Sequence, residues 1–574
     1  MRILLLCSAF NGLSQRVHRE LVLDGCEIVV QLATSDEEME RAVQQFQPDL
    51  VICPFLKHKI PDAIWQSLPC LVVHPGIEGD RGPSSLDWAI SDDKETWGVT
   101  LLQANDTMDA GDIWGTMNFP MRAGANKSSL YRREVTRCAV SLVKQAVRNF
   151  TDQNFLPRPL IESQAPGCLL PTMTQNDRAI DWQRDSTAEV LKKLRAADSL
   201  PGIRETIGDR VVNLFGGREA EGLRGEPGNF IVSAGGHLCR ATVDGAVWIS
   251  HAKEAGKFKL SASRVIVPLL DYPVDELSDV PPALQEIRTE YSDEVAYLYF
   301  SFHGGAMSTQ QCQDLLAQYR ELAASDVKVI VLMGGDEFWS NGIHLNTIEA
   351  AEDPAQESWE NINAIDDFVL EVINTRDKLT VAALGANAGA GGAMMALACD
   401  RVVVREGVVI NPHYQTMGLY GSEYWTYLLP RRVGAQRAKR YTEDCLPVLA
   451  SEALRDGYAD NLFKGDLTAF HRQLSDYCQR LVNVAEFGHS LSQKIQRREA
   501  DEQEKPLQQY RDEELQIMRG IFFDPGAEYH RARKAFVYKQ CAKSTPEYLR
   551  RSSMTVSNTE PVTEEVLEPA YGQI

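Results

Sequence analysis

No two of the twelve cysteines stand in a C-x-x-C arrangement; they are scattered singly from Cys7 to Cys541. That spacing carries neither a zinc-ligand set nor a disulfide framework, and it predicts reduced, mostly buried thiols. The eleven histidines are dispersed, none at ligand spacing from a cysteine, so no metal site is expected. Positive charge is also in deficit: 59 Lys and Arg against 80 Asp and Glu leave a net charge of −21. A surface of that sign argues against nonspecific attraction to nucleic acid or acidic lipid and leaves room only for local basic pockets. Long apolar runs are missing too. The opening MRILLLC holds a run too short for a signal-peptide core and predicts a first buried strand instead. No stretch approaches the roughly 18 apolar residues that a membrane span needs. A cytoplasmic protein acting on small molecules is the expectation, and no long internal repeat is visible.

What is present is length and alternation. A chain of 574 residues exceeds one core and predicts two or three domains. Ile3–Leu6 reads as a strand, Ser14–Asp24 as a helix with Val17 and Leu21 on one face and Gly25 as its stop. Glu27–Leu32, a helix over Asp36–Phe46 and the apolar run Leu50–Cys53 continue the βαβ rhythm of a parallel, doubly wound sheet. From about 165 to 275 a helix over Ser186–Ala197 precedes short β-type runs: Arg210–Leu214, Asn229–Ser233, Val247–Ile249 and Val265–Val267. The acidic, proline-bearing stretch from Asp271 predicts a linker. A second α/β pattern then opens with a strand over Glu294–Phe302. A capping box at Ser308 and Gln311 starts a helix, and a strand follows over Val327–Met333. The expected domains are 1–165, a β module over 166–275, a linker over 276–290 and a third domain over 291–548. A polar, acidic tail over 549–574 is expected to be disordered.

Three segments near the N-terminus carry chemistry: LVVHPGIEGDRGPSSLDWAI from Leu71, WGVTLLQANDTMDAGDIWG from Trp97 and ICPFLKHKIP from Ile52. Together they resemble the catalytic domain of the 10-formyltetrahydrofolate-dependent formyltransferases. That resemblance implies a Rossmann-like domain in which His74 and Asp109 flank the formyl group. Formyl transfer passes through a tetrahedral oxyanion, to which a histidine can donate while a carboxylate relays the proton. Pro54, Phe55, Leu56 and Ile60 would line the pterin loop. The family's asparagine, two residues before the histidine, is Val72 here, which permits an acceptor other than an amine. In the loop after the first strand, Gln15 and Arg16 are candidates to meet a phosphate-bearing cosubstrate at a helix N-terminus; Arg132 and Arg133 are weaker ones. The segments AIDW at Ala179 and AADSLPG at Ala196 resemble the start of that family's C-terminal domain, a small OB-like β-barrel.

Further on, FWSNGIHL from Phe338 and GANAGAGGAMMALACD from Gly385 resemble the crotonase (enoyl-CoA hydratase/isomerase) fold. The resemblance implies an oxyanion hole from the backbone N–H groups of Ile343 and Gly391, which would polarise an acyl-CoA carbonyl. The hydratase carboxylates are not in place: Met394 takes the first position, and Pro412 is followed by His413 and Tyr414. Water addition is therefore not expected. Of His413, Tyr414 and Glu423, the last two are the favoured acid/base groups. The basic helical segment YHRARKAFVYK offers Arg531, Arg533, Lys534 and Lys539 for the phosphates of coenzyme A.

The combination of the two halves resembles the HypX/HoxX family of hydrogenase maturation proteins, up to about residue 545. It implies transfer of formyl from 10-formyltetrahydrofolate to CoA, then cleavage of formyl-CoA to carbon monoxide and CoA for a nickel–iron hydrogenase. Small molecules and other maturation proteins would be its partners. A formate-releasing enzyme and a noncatalytic maturation scaffold are the alternatives.

Overall fold

The computed structural model describes residues 1–483 and 487–552. The N-terminal sheet contains β1 (Arg2–Cys7), β2 (Glu27–Leu32), β3 (Leu50–Cys53), β4 (Cys70–His74), β5 (Thr96–Gln103) and β6 (Ile113–Pro120). Their order is β2-β1-β3-β4-β5-β6. The first four run parallel, while β5 and β6 are antiparallel additions. Continuous apolar runs such as Leu50–Cys53 are buried throughout, as a sheet covered on both faces requires. Helix α1 (Gly12–Leu23) is capped by the Asn11 side chain, which accepts from Ser14 N, and turns Leu13, Val17 and Leu21 onto the sheet. In this arrangement the loops after β1, β3 and β4 meet at the carboxyl ends of the strands, where doubly wound sheets bind ligands.

The middle domain is an antiparallel sheet over Ile203–Glu254, with the helix Thr187–Ala197 packed on it. One expected strand is not there. Val265 and Ile266 close the helix Ala262–Ile266, and Val267 opens a 3-10 turn. Ala262 and Ile266, four residues apart, are both fully buried; this spacing outweighs the β preference of the branched residues. The expected linker is also structured. Asp275–Glu276 pairs with Phe230–Ala234, Leu284 is buried, and Ile287–Ser292 forms the edge strand beside Val295–Phe300. Acidic and proline residues suit such edges, because they face water and resist further pairing.

The third domain is built on the sheet order Ile287–Ser292, Val295–Phe300, Val329–Gly334, Leu379–Leu384, Arg401–Arg405, Asn461–Phe463, parallel after its first pair. The capping box at Ser308 and Gln311 forms as expected. Small side sheets bring Gly342–Ile343 beside Ala306–Met307, and Ala388–Gly389 beside Val409–Asn411. All twelve cysteines are free and only Cys168 and Cys541 are exposed. No described helix is long and apolar enough to cross a membrane.

The chain then returns to its beginning. The expected disordered tail begins inside an ordered helix, Glu547–Arg550, in which Leu549 is buried in the core of the N-terminal domain. Thr545 Oγ1 accepts from Leu32 N at 2.9 Å, and Arg550 pairs with Glu38. Residues 553–574 of that tail lie outside the described residues. Leu549→Ala is expected to destabilise the N-terminal domain by about 2–5 kcal/mol. An unchanged denaturant midpoint for that domain would show that the returning segment contributes nothing to it.

Candidate active sites

His74 ends β4, and its buried imidazole lies between two carboxylates. Nε2 is 2.7 Å from Asp80 Oδ2, and Nδ1 is 3.6 Å from Asp109 Oδ2. Asp109 comes from the β5–β6 loop with φ 57°, a left-handed conformation of the kind that recurs at functional sites. Its Oδ2 also accepts from Gly82 N at 3.3 Å. Gly76 makes the close packing possible: a Cβ there would overlap Asp80 Oδ2 and come within 2.5 Å of His74 Nε2. Asp80 is not marked by a motif of its own: five loop residues separate it from His74, and the DRG turn is its only signal. A histidine so held can donate from one nitrogen and exchange a proton at the other.

A cavity of about 1580 Å³ opens in front of this site. Pro54, Phe55, Leu56, Ile60 and Val72 line it, together with His74 and Asp109. Its far wall belongs to the third domain, with Phe338, Asn387 and Arg405. Arg16 lines the cavity across from Gly407, whereas Gln15 turns away and donates to the Phe10 carbonyl at 3.0 Å. Arg132 is ion-paired to Glu337 at 2.7 Å, which joins the domains, and Arg133 reaches the same glutamate. Burial, then the neighbouring Arg16 and Arg133, pushes Arg405 down to about 10. Three guanidiniums this close repel one another and suit an anionic ligand.

The second constellation sits deeper in the third domain. Gly391 is the second residue of a short helix, so its N–H has no intrahelical partner. Gly342 approaches closely: a Cβ on it would lie 3.1 Å from Gly391 N, which places the Ile343 and Gly391 segments side by side. A Cβ on Gly391 would overlap Glu423 Oε1. The Tyr414 hydroxyl donates to Glu423 Oε2 at 2.6 Å, and both side chains are buried. Burial, then the nearby Asp366 carboxylate, raises Glu423 to about 8. Burial, then Glu423, pushes Tyr414 well above the usual phenol range. His413 is occupied locally, with Nδ1 2.6 Å from the Asn411 carbonyl.

The basic helix near the C-terminus is only partly available. Arg533 is spent in a buried ion pair with Glu349 at 2.8 Å. Arg531 pairs with Glu528 at the surface, and Lys534 lies on a separate shallow groove beside it.

Hydrogenase maturation factor HoxX of Bradyrhizobium diazoefficiens is 46% identical to this chain over 550 residues, 95% of this chain and 96% of that protein. This chain belongs to the HypX/HoxX family of hydrogenase maturation factors. A crystal structure of HypX from Aquifex aeolicus in complex with tetrahydrofolic acid matches at TM-score 0.91 and 42% identity, covering 96% of this chain and 98% of that one. Methionyl-tRNA formyltransferase of Pelobacter propionicus is 25% identical over 225 residues, 39% of this chain and 69% of that enzyme. Three family models divide the HypX/HoxX architecture. "Formyl transferase" matches residues 26–145, "Formyl transferase, C-terminal domain" 172–267, and "Enoyl-CoA hydratase/isomerase" 301–540. The first constellation therefore lies in the formyltransferase domain and the second in the crotonase-type domain.

Proposed function

We propose that this HypX/HoxX protein moves a formyl group from 10-formyltetrahydrofolate to the thiol of CoA and then splits formyl-CoA into carbon monoxide and CoA. The single observation that carries this reading is the shared cavity, which touches His74 and Asp109 on one side and the crotonase-type domain on the other. Its apolar loop Pro54–Ile60 fits a pterin, and Val72 adds no polar group to handle an amine. Arg16 and Arg405 on the cavity wall fit the phosphates of CoA better than the C-terminal helix, whose Arg533 is held by Glu349.

In the first step the N10–formyl bond breaks, a sulfur–carbon bond forms and the thiol proton passes to N10. His74 donates to the oxyanion that forms between those events, and Asp109 relays the proton. In the second step the Gly391 and Ile343 N–H groups polarise the thioester carbonyl. The carbon–sulfur bond breaks and the formyl hydrogen leaves as a proton, which the Tyr414–Glu423 pair carries to sulfur. A formyl thioester has no α-carbon, so double-bond hydration and isomerisation are excluded. Glu423, raised to about 8, can take up and release a proton slightly above neutrality, while Tyr414, raised well above the usual phenol range, keeps its hydroxyl proton and donates it in a hydrogen bond to Glu423.

The test is isotopic. Protein given labelled 10-formyltetrahydrofolate and CoA is expected to release labelled carbon monoxide, trapped by haemoglobin. Labelled formate without gas would replace the lyase by a hydrolase, and no turnover at all, with tight binding of another maturation protein, would favour a scaffold. Tyr414→Phe is expected to slow gas release by about 10²-fold or more; undiminished release would remove Tyr414 from the mechanism.

A further inference from the structure

The turn that carries Glu423 is strained. Glu423 and Tyr424 follow one another with φ 59° and 57°. Left-handed backbone is unfavourable for non-glycine residues and persists only where its surroundings over-determine it. Here the holding group is Asp366, from the helix Pro354–Asn374. Asp366 is fully buried, and its two oxygens accept from Ser422 Oγ at 2.8 and 2.7 Å. One of them also accepts from Glu423 N at 2.9 Å. These three contacts fix the turn from which Glu423 projects toward Gly391.

The same carboxylate faces Glu423 electrostatically. Around Glu423 stand the Tyr414 hydroxyl, Asp366, Glu514 from the helix Leu507–Phe523, and the Cys312 thiol. The cation acting on Asp366 is Arg511, itself ion-paired to Asp367 at 2.7 Å. Burial raises Asp366 only to about 6, whereas burial together with Asp366 raises Glu423 and Glu514 to about 8 each. An ionised Asp366 opposes a second ionisation beside it.

We propose that Asp366 is a positioning residue for the second site: it holds the Ser422–Glu423–Tyr424 turn in its left-handed form and sets a buried carboxylate beside Glu423. This rests on the proposed role of Glu423 in proton transfer. It concerns a group that lies 57 positions from Glu423 in the sequence and acts through the turn that carries it.

Difference infrared spectroscopy reads the Glu423 carboxyl directly, with Glu423→Gln as the blank. In the wild type it is expected to keep its proton into the neutral range; titration in the ordinary carboxylate range would overturn the proposal without any variant at Asp366. In Asp366→Asn, which keeps the shape and removes the charge, the midpoint is expected to fall by about one pH unit or more. The pH profile of formyl-CoA consumption is expected to move with it. An unchanged midpoint in folded Asp366→Asn would overturn the role of the charge. Ser422→Ala removes two of the holding contacts and leaves the charge; it is expected to lower kcat with little change in KM, and unaltered kcat would overturn the holding role. Supplying formyl-CoA directly separates this from the first reaction. Full consumption by Glu423→Gln would count against the proposed function, while the infrared midpoints would still decide the effect of Asp366.

Discussion

His74→Ala is expected to lower formyl transfer from 10-formyltetrahydrofolate to CoA by about 10²–10⁴-fold, the range for loss of a positioned acid–base group. The size follows from the burial of the imidazole between Asp80 and Asp109. Nothing else on β4 can donate at that point: the neighbouring Val73 and Val72 are apolar. Folate affinity is expected to change little, because the loop Pro54–Ile60 is a separate element on the wall of the cavity. Rapid-quench assay of labelled formyl transfer, paired with equilibrium folate binding, separates the two effects. If transfer persists at a tenth of the wild-type rate or better, His74 has a structural role only and the first site must be sought elsewhere. Formyl-CoA supplied directly should still be consumed by the variant, since the second constellation lies in another domain.

Gly391→Ala is expected to have the opposite pattern. The added Cβ would overlap Glu423 Oε1, so either the carboxylate swings away from Tyr414 or the helix start moves. Either movement breaks the alignment between the Gly391 N–H and the acid pair. Loss of an oxyanion donor alone costs about 10²–10³-fold in turnover, and displacement of Glu423 adds to that. Formyl transfer from folate should continue, so formyl-CoA should accumulate in place of carbon monoxide. Chromatographic assay of the thioester measures this. Wild-type gas release from a folded Gly391→Ala protein would exclude an oxyanion hole at this helix start. The two variants together assign each half of the reaction to one domain.

The parts of the sites that were legible in the sequence share a property: their signal is local in the chain. His74 and Asp109 sit in motifs that keep their spacing, and Gly391 sits in a run of glycines where backbone approach demands the absence of a Cβ. Tyr414 and Glu423 are nine residues apart, close enough for one motif to suggest both. Asp80 and Asp366 were not legible. Asp80 is one carboxylate among several in its loop, and Asp366 one polar residue on a 21-residue helix whose charged positions otherwise look solvated. Arg533 shows the converse. Its basic neighbourhood suggested a phosphate ligand, but only the fold reveals Glu349 beside it. Val265 and Ile266 misled for a related reason: branched residues favour strands, and burial at four-residue spacing on the sheet decided for a helix.

The sequence by itself determined the βαβ run of the first domain, the capping-box helix of the third, and the motifs that place formyl transfer and crotonase-type chemistry in one chain. Apolar periodicity and glycine positions act over a few residues, so they are written where they operate. Tertiary structure alone decided what crosses between segments. It brought the loops of the first domain and the edge of the third around one cavity, tied Arg132 to Glu337, and returned Leu549 to the first core. It also set Asp366 behind Glu423. Proton affinities and ion pairs depend on which charges meet in a buried space, and that meeting exists only after the chain has folded.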